Sequence, residues 1–369
     1  MKGATNFGAL NSKQKVVWSR RVWSAARDQM FIKRFLGTSE NSMIQRITEL
    51  TKSEKGERVL MQLVADLVED GVIDDNDREG REEQMQNFEQ EITIGLISHQ
   101  VRNAGKLSDQ KSVINTRAQA KNKLAYWLAN RVDQLALLTL AGVSYAYLTN
   151  GAPRPSSSPF PNLAFAADVR PPSAKRHLRW DATNGLVAGD TTQVAADDII
   201  TYKTIVDLVA YAKDHYIKPL MAGGKEYYVM LVKPGTMAQL KKDADYQRAI
   251  TTAMPRSKEN PWFTGAGAVT VDGVVFHEHR MVYSTKGAAS GSKWGAGGAI
   301  DGTRSMLCGA QALGMADLGG SWAEKRFQYD SRWGISVDKM FGLLLPEFFS
   351  IYDNSVEDFG RICLDHYLQ

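Results

Sequence analysis

DLVEDGVIDDNDREGREEQMQNFEQE, residues 66–91, carries eleven acids against two bases, a net charge of −9. The next stretch, 102–131, carries seven bases against one acid, a net charge of +6. The whole 369-residue chain is only +4, so the two blocks are a local asymmetry and not a general bias. A segment this acidic has no apolar face to bury. Its flanks, 59–68 and 88–101, read as two strands, with Ile92, Ile94 and Leu96 alternating against Glu91, Thr93 and Gly95. The polar tip 71–86 is therefore expected to project from the body. Opposite charge on neighbouring elements fits a surface that meets the complementary block of another copy. The acids expected at such a contact are Asp66, Asp70, Asp74, Asp75, Asp77, Glu79, Glu82 and Glu83. The bases are Arg102, Lys106, Lys111, Arg117, Lys121 and Lys123.

A chain of this length is too long for one minimal core and suits two or three subdomains. Near-neutral balance argues against a dedicated nucleic-acid binder. Cys308 and Cys363 form no CxxC, which fits a reducing compartment and argues against a zinc module or disulfide scaffold. No charged-then-apolar signal opens the chain. The longest apolar run, 135–143, is far short of a membrane span, so no membrane association is expected.

Residues 11–36 read as an amphipathic helix within a basic arm. From Lys2 to Arg34 the arm holds eight bases against Asp28, a net of +7. Lys13, Lys15, Arg20 and Arg21 are its candidates for contact with nucleic-acid phosphates, since such contacts neutralise charge without reading sequence. A solvated helix face is the alternative. Ser108 offers an N-cap to a helix expected over 108–141, with Gly142 at its end. Such a helix would span about 50 Å and act as a strut. Pro-rich 151–172 reads as an extended connection, followed by a basic-aromatic patch at 175–180. Helices are expected over 201–215 and 236–249 around a buried strand at 227–232, giving a compact α/β core. Residues 269–283 read as a hairpin turning at Asp272-Gly273. Residues 287–302 are Gly-rich and loop-like, 305–315 are small and apolar, and 334–349 are strand-like with Pro346 as a breaker.

Motifs for chemistry are weak. Asp75-Asn76-Asp77-Arg78-Glu79-Gly80 opens like a calcium loop, but Gln86 stands where the bidentate Glu belongs. A solvated or partner-facing tip is the competing reading. His277-Glu278-His279 puts two imidazoles on one strand face without a third ligand, so a plain polar pair competes with a metal. Gly291-Ser292-Lys293 is followed by Trp294, not the Ser or Thr a phosphate loop needs. No GxSxG occurs, and Cys308 reads as a buried small hydrophobe. No cofactor is expected and the chain reads as a non-enzyme.

Six motifs carry a resemblance in their order. They are Gly71-Val72-Ile73-Asp74-Asp75-Asn76 with Glu82-Glu83, Arg170-Pro171-Pro172-Ser173-Ala174-Lys175-Arg176, and Phe276-His277-Glu278-His279-Arg280. Trp294-Gly295-Ala296-Gly297-Gly298, Cys308-Gly309-Ala310-Gln311-Ala312-Leu313-Gly314, and Tyr329-Asp330 with Arg332-Trp333-Gly334-Ile335 follow. Together they resemble the podovirus-type major capsid proteins of tailed bacteriophages, over nearly the whole chain.

The resemblance implies an α+β chain with the shell fold of tailed phages and herpesviruses. Residues 1–50 would be the N-terminal arm and 51–101 an extended hairpin loop. Residues 102–200 would form a peripheral domain with spine helix 108–141, and 201–329 an axial domain with some strands returning to the periphery. Residues 330–369 would be C-terminal peripheral strands. It further implies hexamers and pentamers of an icosahedral head around double-stranded DNA, assembled in the host bacterial cytoplasm. The acidic loop of one subunit would lie over the basic spine of the next, and the arm would face the lumen. The short arm favours a separate scaffolding protein. A portal protein, packaged DNA held non-specifically and a possible decoration protein complete the expected partners. An encapsulin-like cargo shell shares the fold and is the alternative; a nucleotide-binding enzyme is a second.

Overall fold

The computed structural model describes residues 30–48, 58–64, 71–74, 79–80, 82, 87–106, 116–253, 269–329, 331–350 and 352–369. Its centre is a helix over Thr116–Ala141, about 39 Å long at about 1.5 Å per residue. No Gly or Pro interrupts it. Leu124, Leu128, Val132, Leu135 and Leu138, spaced by three and four, are all buried. Gly142 ends it in the left-handed region, φ 65°. Gly142 N–H donates to Thr139 and Val143 N–H to Leu138, closing the terminal turn in a Schellman arrangement. Arginines satisfy the carbonyls that remain. Arg361 Nη1 donates to Leu140 at 2.5 Å and Thr139 at 3.2 Å, and Arg304 Nη1 to Ala141 at 2.9 Å. Two guanidinium groups thus sit where the helix dipole is negative.

Two sheets flank this helix. In the five-stranded one the order is Leu36–Gly37, Ile44–Ile47, Leu313–Phe327, Arg332–Leu344, Gly95–Arg102. Ile335, Val337, Phe341 and Leu343 alternate toward the helix and share its core. The eight-stranded sheet is mixed. It runs Val269–Val271, Val274–Glu278, Lys225–Val232, Gly302–Cys308, Arg361–Tyr367, His177–Asp181, Gly185–Ala188, with Leu220–Ala222 beside Lys225–Val232. Val229, Leu231, Met306, Cys308 and Cys363 face the long helix's core. Their alternates Tyr228, Met230, Leu307, Ile362 and Leu364 face a second core with Ile205, Leu208, Met237, Leu240 and Tyr246. Those last five come from helices Tyr202–Asp214, Pro234–Lys242 and Ala244–Ala253. Central strands buried on both faces explain their continuous apolar sequence. The architecture is α+β, as expected.

Several elements differ from the sequence reading. The helix expected over 11–36 falls outside the described residues up to 29. At its end the chain forms a short 3-10 turn, Ile32–Phe35, then strand Leu36–Gly37. Here Asp133 of the long helix accepts Phe31 N–H at 2.8 Å and Ile32 N–H at 3.1 Å, fixing the turn from outside. Residues 88–101 are two strands in different sheets, Asn87–Thr93 and Gly95–Arg102, parted at Ile94. Gly95 marks the change, because a Cβ there would lie 2.8 Å from the Phe165 ring. The helix expected over 236–249 begins earlier and breaks at Asp243, whose carboxylate instead accepts Tyr202 N–H at 2.7 Å. The strand expected over 334–349 runs Arg332–Leu344 and resumes at Glu347, beyond Pro346. The small apolar stretch 305–315 holds one strand's end and the start of the 15-residue strand Leu313–Phe327. The long helix is described from Thr116, leaving the Ser108 cap outside the described residues. The hairpin turn at Asp272-Gly273 is present, both residues at positive φ, 49° and 75°.

Candidate subunit-interface surface

The acidic segment is carried by a two-stranded antiparallel ribbon, Arg58–Val64 with Asn87–Thr93, in register from Arg58↔Thr93 to Val64↔Asn87. An isolated ribbon is marginal in water and needs a packed face. Val59, Met61 and Ile92 provide it, burying against Ala316 and Leu344 of the five-stranded sheet. Two glycines make room. A Cβ on Gly314 would lie 2.8 Å from Met61 Sδ, and one on Gly342 2.8 Å from Ile92 Cγ2 and 2.3 Å from the Thr93 carbonyl. Gln90 adds a reciprocal amide clasp to Glu347, donating to its carbonyl at 2.7 Å and accepting its N–H at 3.1 Å. On the open side Arg58 pairs with Glu91, and Leu60 is exposed.

Of the eight acids read as contacts, Asp74, Glu79 and Glu82 are described, and all three are exposed. Asp74 has φ 56°, and Glu82 accepts Gly80 N–H at 2.8 Å. Asp66, Asp70, Asp75, Asp77 and Glu83 lie outside the described residues, as does most of the calcium-like loop.

The basic residues divide. Arg117 Nη2 bonds Glu324 of the chain's own sheet at 2.7 Å. Lys121 lies 5.8 Å from the Trp322 ring, and burial, then Arg117, lowers its pKa. These two helix cations face inward to their own subunit. Lys106 and Lys123 are exposed, and Lys111 lies outside the described residues. Arg102 stands at a strand end, its guanidinium 4.5 Å over Phe327. The arm residues Lys13, Lys15, Arg20 and Arg21 lie outside the described residues.

The two histidines of 277–279 do not converge on one point. His277 is on the strand and meets Phe35 edge-on at 5.0 Å; His279, past its end, stacks on Phe31 at 4.2 Å. Burial pushes both imidazoles down, His279 to about 4, with nearby Arg280 and Arg34 adding to it. They act as neutral aromatic partners for the end of the arm. Among the described residues, no group of three or more His, Cys, Asp or Glu is placed to hold a metal. The Gly-rich 287–302 segment is a loop closed on itself, with Trp294 and Ile300 bridged and Lys293 paired to Asp301 at 2.7 Å. No helix among the described residues is long and apolar enough to cross a membrane. Cys308 and Cys363 are buried free thiols, their pKa raised by burial.

Sequence reading missed a buried polar joint between the long helix and the eight-stranded sheet. Arg304 holds Asp365 through two bonds, 2.7 and 2.8 Å, and His177 meets the same carboxylate at 2.7 Å. Burial opposes the Asp365 charge, but Arg304 outweighs it and its pKa stays below the usual range. Arg361 holds Asp358 at 2.9 Å, and Arg176 holds Asp353 at 3.0 Å. The Arg-Pro-Pro stretch before Arg176 was the available signal.

A family model described as phage capsid protein matches residues 6–369. The major capsid protein of Pseudomonas phage KPP25 is 52% identical over 363 residues, covering 97% of this chain and 96% of that one. The capsid of Ralstonia phage GP4 superposes with a TM-score of 0.75 at 24% identity, over 92% of this chain and 91% of its own. The Cyanophage Pam1 capsid asymmetric unit gives 0.70 at 18% identity, over 100% and 96%. The structural likenesses establish a shared fold.

Proposed function

The chain belongs to the phage capsid protein family and is a structural protein of a phage virion shell, and from that premise we propose how its copies assemble. Subunits form hexamers and pentamers of an icosahedral head around double-stranded DNA, built in the host bacterial cytoplasm. Residues 1–50 serve as the arm, 51–101 as the extended loop, 102–200 with 330–369 as the peripheral part, and 201–329 as the axial part. Head-to-tail contacts of this kind close into rings when the rotation permits. The acidic loop 66–91 of one copy seats against the basic region 102–131 of the next, where Arg102, Lys106 and Lys123 are exposed. One observation supports this most: the acids described at the ribbon's tip are exposed, on a ribbon rooted by a small apolar cluster.

Each exposed ion pair contributes only about 0.2–1 kcal/mol. The charges therefore set register and reject wrong partners more than they supply affinity. Affinity comes from apolar burial and from many weak contacts per copy, which also lets misplaced subunits leave before closure. The basic arm faces the lumen and meets DNA phosphates or a separate scaffolding protein. A portal protein and a decoration protein are further partners of such a shell.

Changing Asp74, Asp75 and Asp77 to Lys tests the loop contact. Assembly should be blocked while the monomer stays folded, and normal shells in electron micrographs would sink it. For the arm, Lys13, Lys15, Arg20 and Arg21 all changed to Ala should reduce genome packaging or assembly yield. Unchanged values of both refute a luminal role.

A further inference from the structure

We propose that Asn184 is a site of spontaneous covalent modification, where the side chain closes onto the Gly185 nitrogen and the residue ages to aspartate and isoaspartate. Asparagine is a chemically labile residue. A following glycine leaves the next backbone nitrogen unobstructed, because it has no Cβ. The sequence holds two Asn-Gly pairs, Asn150-Gly151 and Asn184-Gly185. They are alike as dipeptides, and the fold separates them. In the reaction the Gly185 nitrogen loses its proton to solvent base and attacks Asn184 Cγ. The new N–Cγ bond closes a five-membered succinimide, and the Cγ–Nδ2 bond breaks to release ammonia. Water then opens the ring at one carbonyl or the other. One opening gives Asp. The other gives isoaspartate, whose backbone runs through Cγ and leaves the α-carboxyl free.

Asn150 is clamped against this step. Its Oδ1 accepts Ala152 N–H at 3.1 Å, and Gly151 N–H donates to the Leu148 carbonyl at 2.9 Å. The Asn150 carbonyl accepts Gly287 N–H at 2.7 Å. Gly287 packs so closely that a Cβ there would lie 2.5 Å from Asn150 Nδ2. Gly151 itself is buried, and a Cβ on it would lie 2.8 Å from the Ser284 carbonyl. Turning the Asn150 amide onto Gly151 therefore breaks two hydrogen bonds inside packed backbone.

Asn184 has none of these restraints on its side chain. It is exposed at the turn between His177–Asp181 and Gly185–Ala188. Asp181 Oδ1 accepts the backbone N–H of Thr183 at 2.9 Å and of Asn184 at 2.8 Å, which orders the turn's backbone only. Among the described residues no group bonds the Asn184 side-chain amide. Gly185 stands at φ 78°, and the nearest atom to a Cβ built on it is Trp180 Cζ3, 3.9 Å away, so little packs against it. Gly185–Ala188 is the last strand of the eight-stranded sheet, four residues long and paired on one side only. Such an edge opens locally at low cost, which frees the nitrogen to attack. Each event adds a negative charge beside Asp181. The isoaspartate form also lengthens the backbone by one carbon, which disturbs the Trp180↔Leu186 register and the seat of Leu186 on the second core.

The test is incubation of the full chain at mildly alkaline pH, followed by peptide mapping with mass spectrometry. Isoaspartate is counted by enzymatic methyl transfer to its free α-carboxyl. Synthetic peptides of residues 180–188 and 146–154, run alongside, give the two rates without the fold. The peptides should convert at similar rates. In the folded chain Asn184 should convert roughly tenfold or more faster than Asn150, since only the Asn150 site must break buried bonds to react. Asn184→Gln should remove the methylation signal from its peptide, and aged wild-type chain should show faster hydrogen exchange at the 185–188 amides. Equal conversion of the two asparagines in the folded chain, or conversion at Asn150 alone, overturns the proposal. So does an Asn184 that stays intact in the folded chain while the 180–188 peptide converts, because the hairpin then protects it.

Discussion

Ile92→Ala tests whether the acidic ribbon is held by its root. Ile92 is fully buried in a cluster with Val59, Met61, Ala316 and Leu344. Its neighbours across the sheet are Gly314 and Gly342, which have no side chain to swing into a hole. Ile→Ala in a core costs about 2–5 kcal/mol, and poor collapse places this site at about 3 kcal/mol or more. A two-stranded ribbon has little stability of its own to absorb that. The loss should appear as local opening, while the two larger cores keep the main melting transition nearly in place. At about 1.4 kcal/mol per factor of ten, 3 kcal/mol speeds hydrogen exchange of the 58–64 and 87–93 amides roughly hundredfold. Native-state exchange read by mass spectrometry measures this. Shell yield should fall with the ribbon's protection. Unchanged exchange in both strands, or a global melt that drops with no local effect, refutes the idea that this cluster is the main hold on the ribbon.

Arg304→Ala leaves Asp365 buried without its guanidinium and one terminal helix carbonyl without a donor, so stability should fall by about 3–5 kcal/mol in denaturant unfolding. Arg304→Met with Asp365→Leu should recover most of it; no recovery shows that the carboxylate is not the cause. Asp133 has its pKa raised to about 6 by burial, against about 3.9 unfolded, despite the two backbone bonds that oppose the rise. The folded state therefore holds the extra proton between these values, and stability is lost as pH rises from about 4 through about 6. Asp133→Asn should remove that slope, a difference of about 2–3 kcal/mol across the interval; parallel pH profiles refute it. Gly342→Ala should shift the ribbon off the sheet and reduce assembly, since its Cβ would meet Thr93 carbonyl at 2.3 Å; normal yield counts against the close seat.

The long helix, the Asp272-Gly273 hairpin and the buried α/β core were legible because each rests on local pattern: three-four spacing, a two-residue turn, a continuous apolar run. The split at Ile94 was not, because the alternation runs through it unbroken and only the partner strand changes. Gly95 was the sole local sign. The 15-residue strand Leu313–Phe327 was hidden by Gly314, Gly319 and Gly320, two of which serve a bulge between Asp317 and Gly320. The charge asymmetry pointed to a surface, but Arg117 and Lys121 could be sorted from Arg102 only once their neighbours Glu324 and Trp322 on the chain's own sheet were known. Arg304 and Arg361 as helix caps join residues more than 160 positions apart, which no local pattern encodes.

The most direct measurement is a side-chain-resolution electron-microscopy map of the assembled particle, traced at the contact between ring neighbours. Residues 66–91 of one copy should lie against the basic region 102–131 of the next, with the acidic tip near Arg102, Lys106 and Lys123. A tip folded back on its own subunit, or seated elsewhere with the neighbour's 102–131 region bare, would contradict the account.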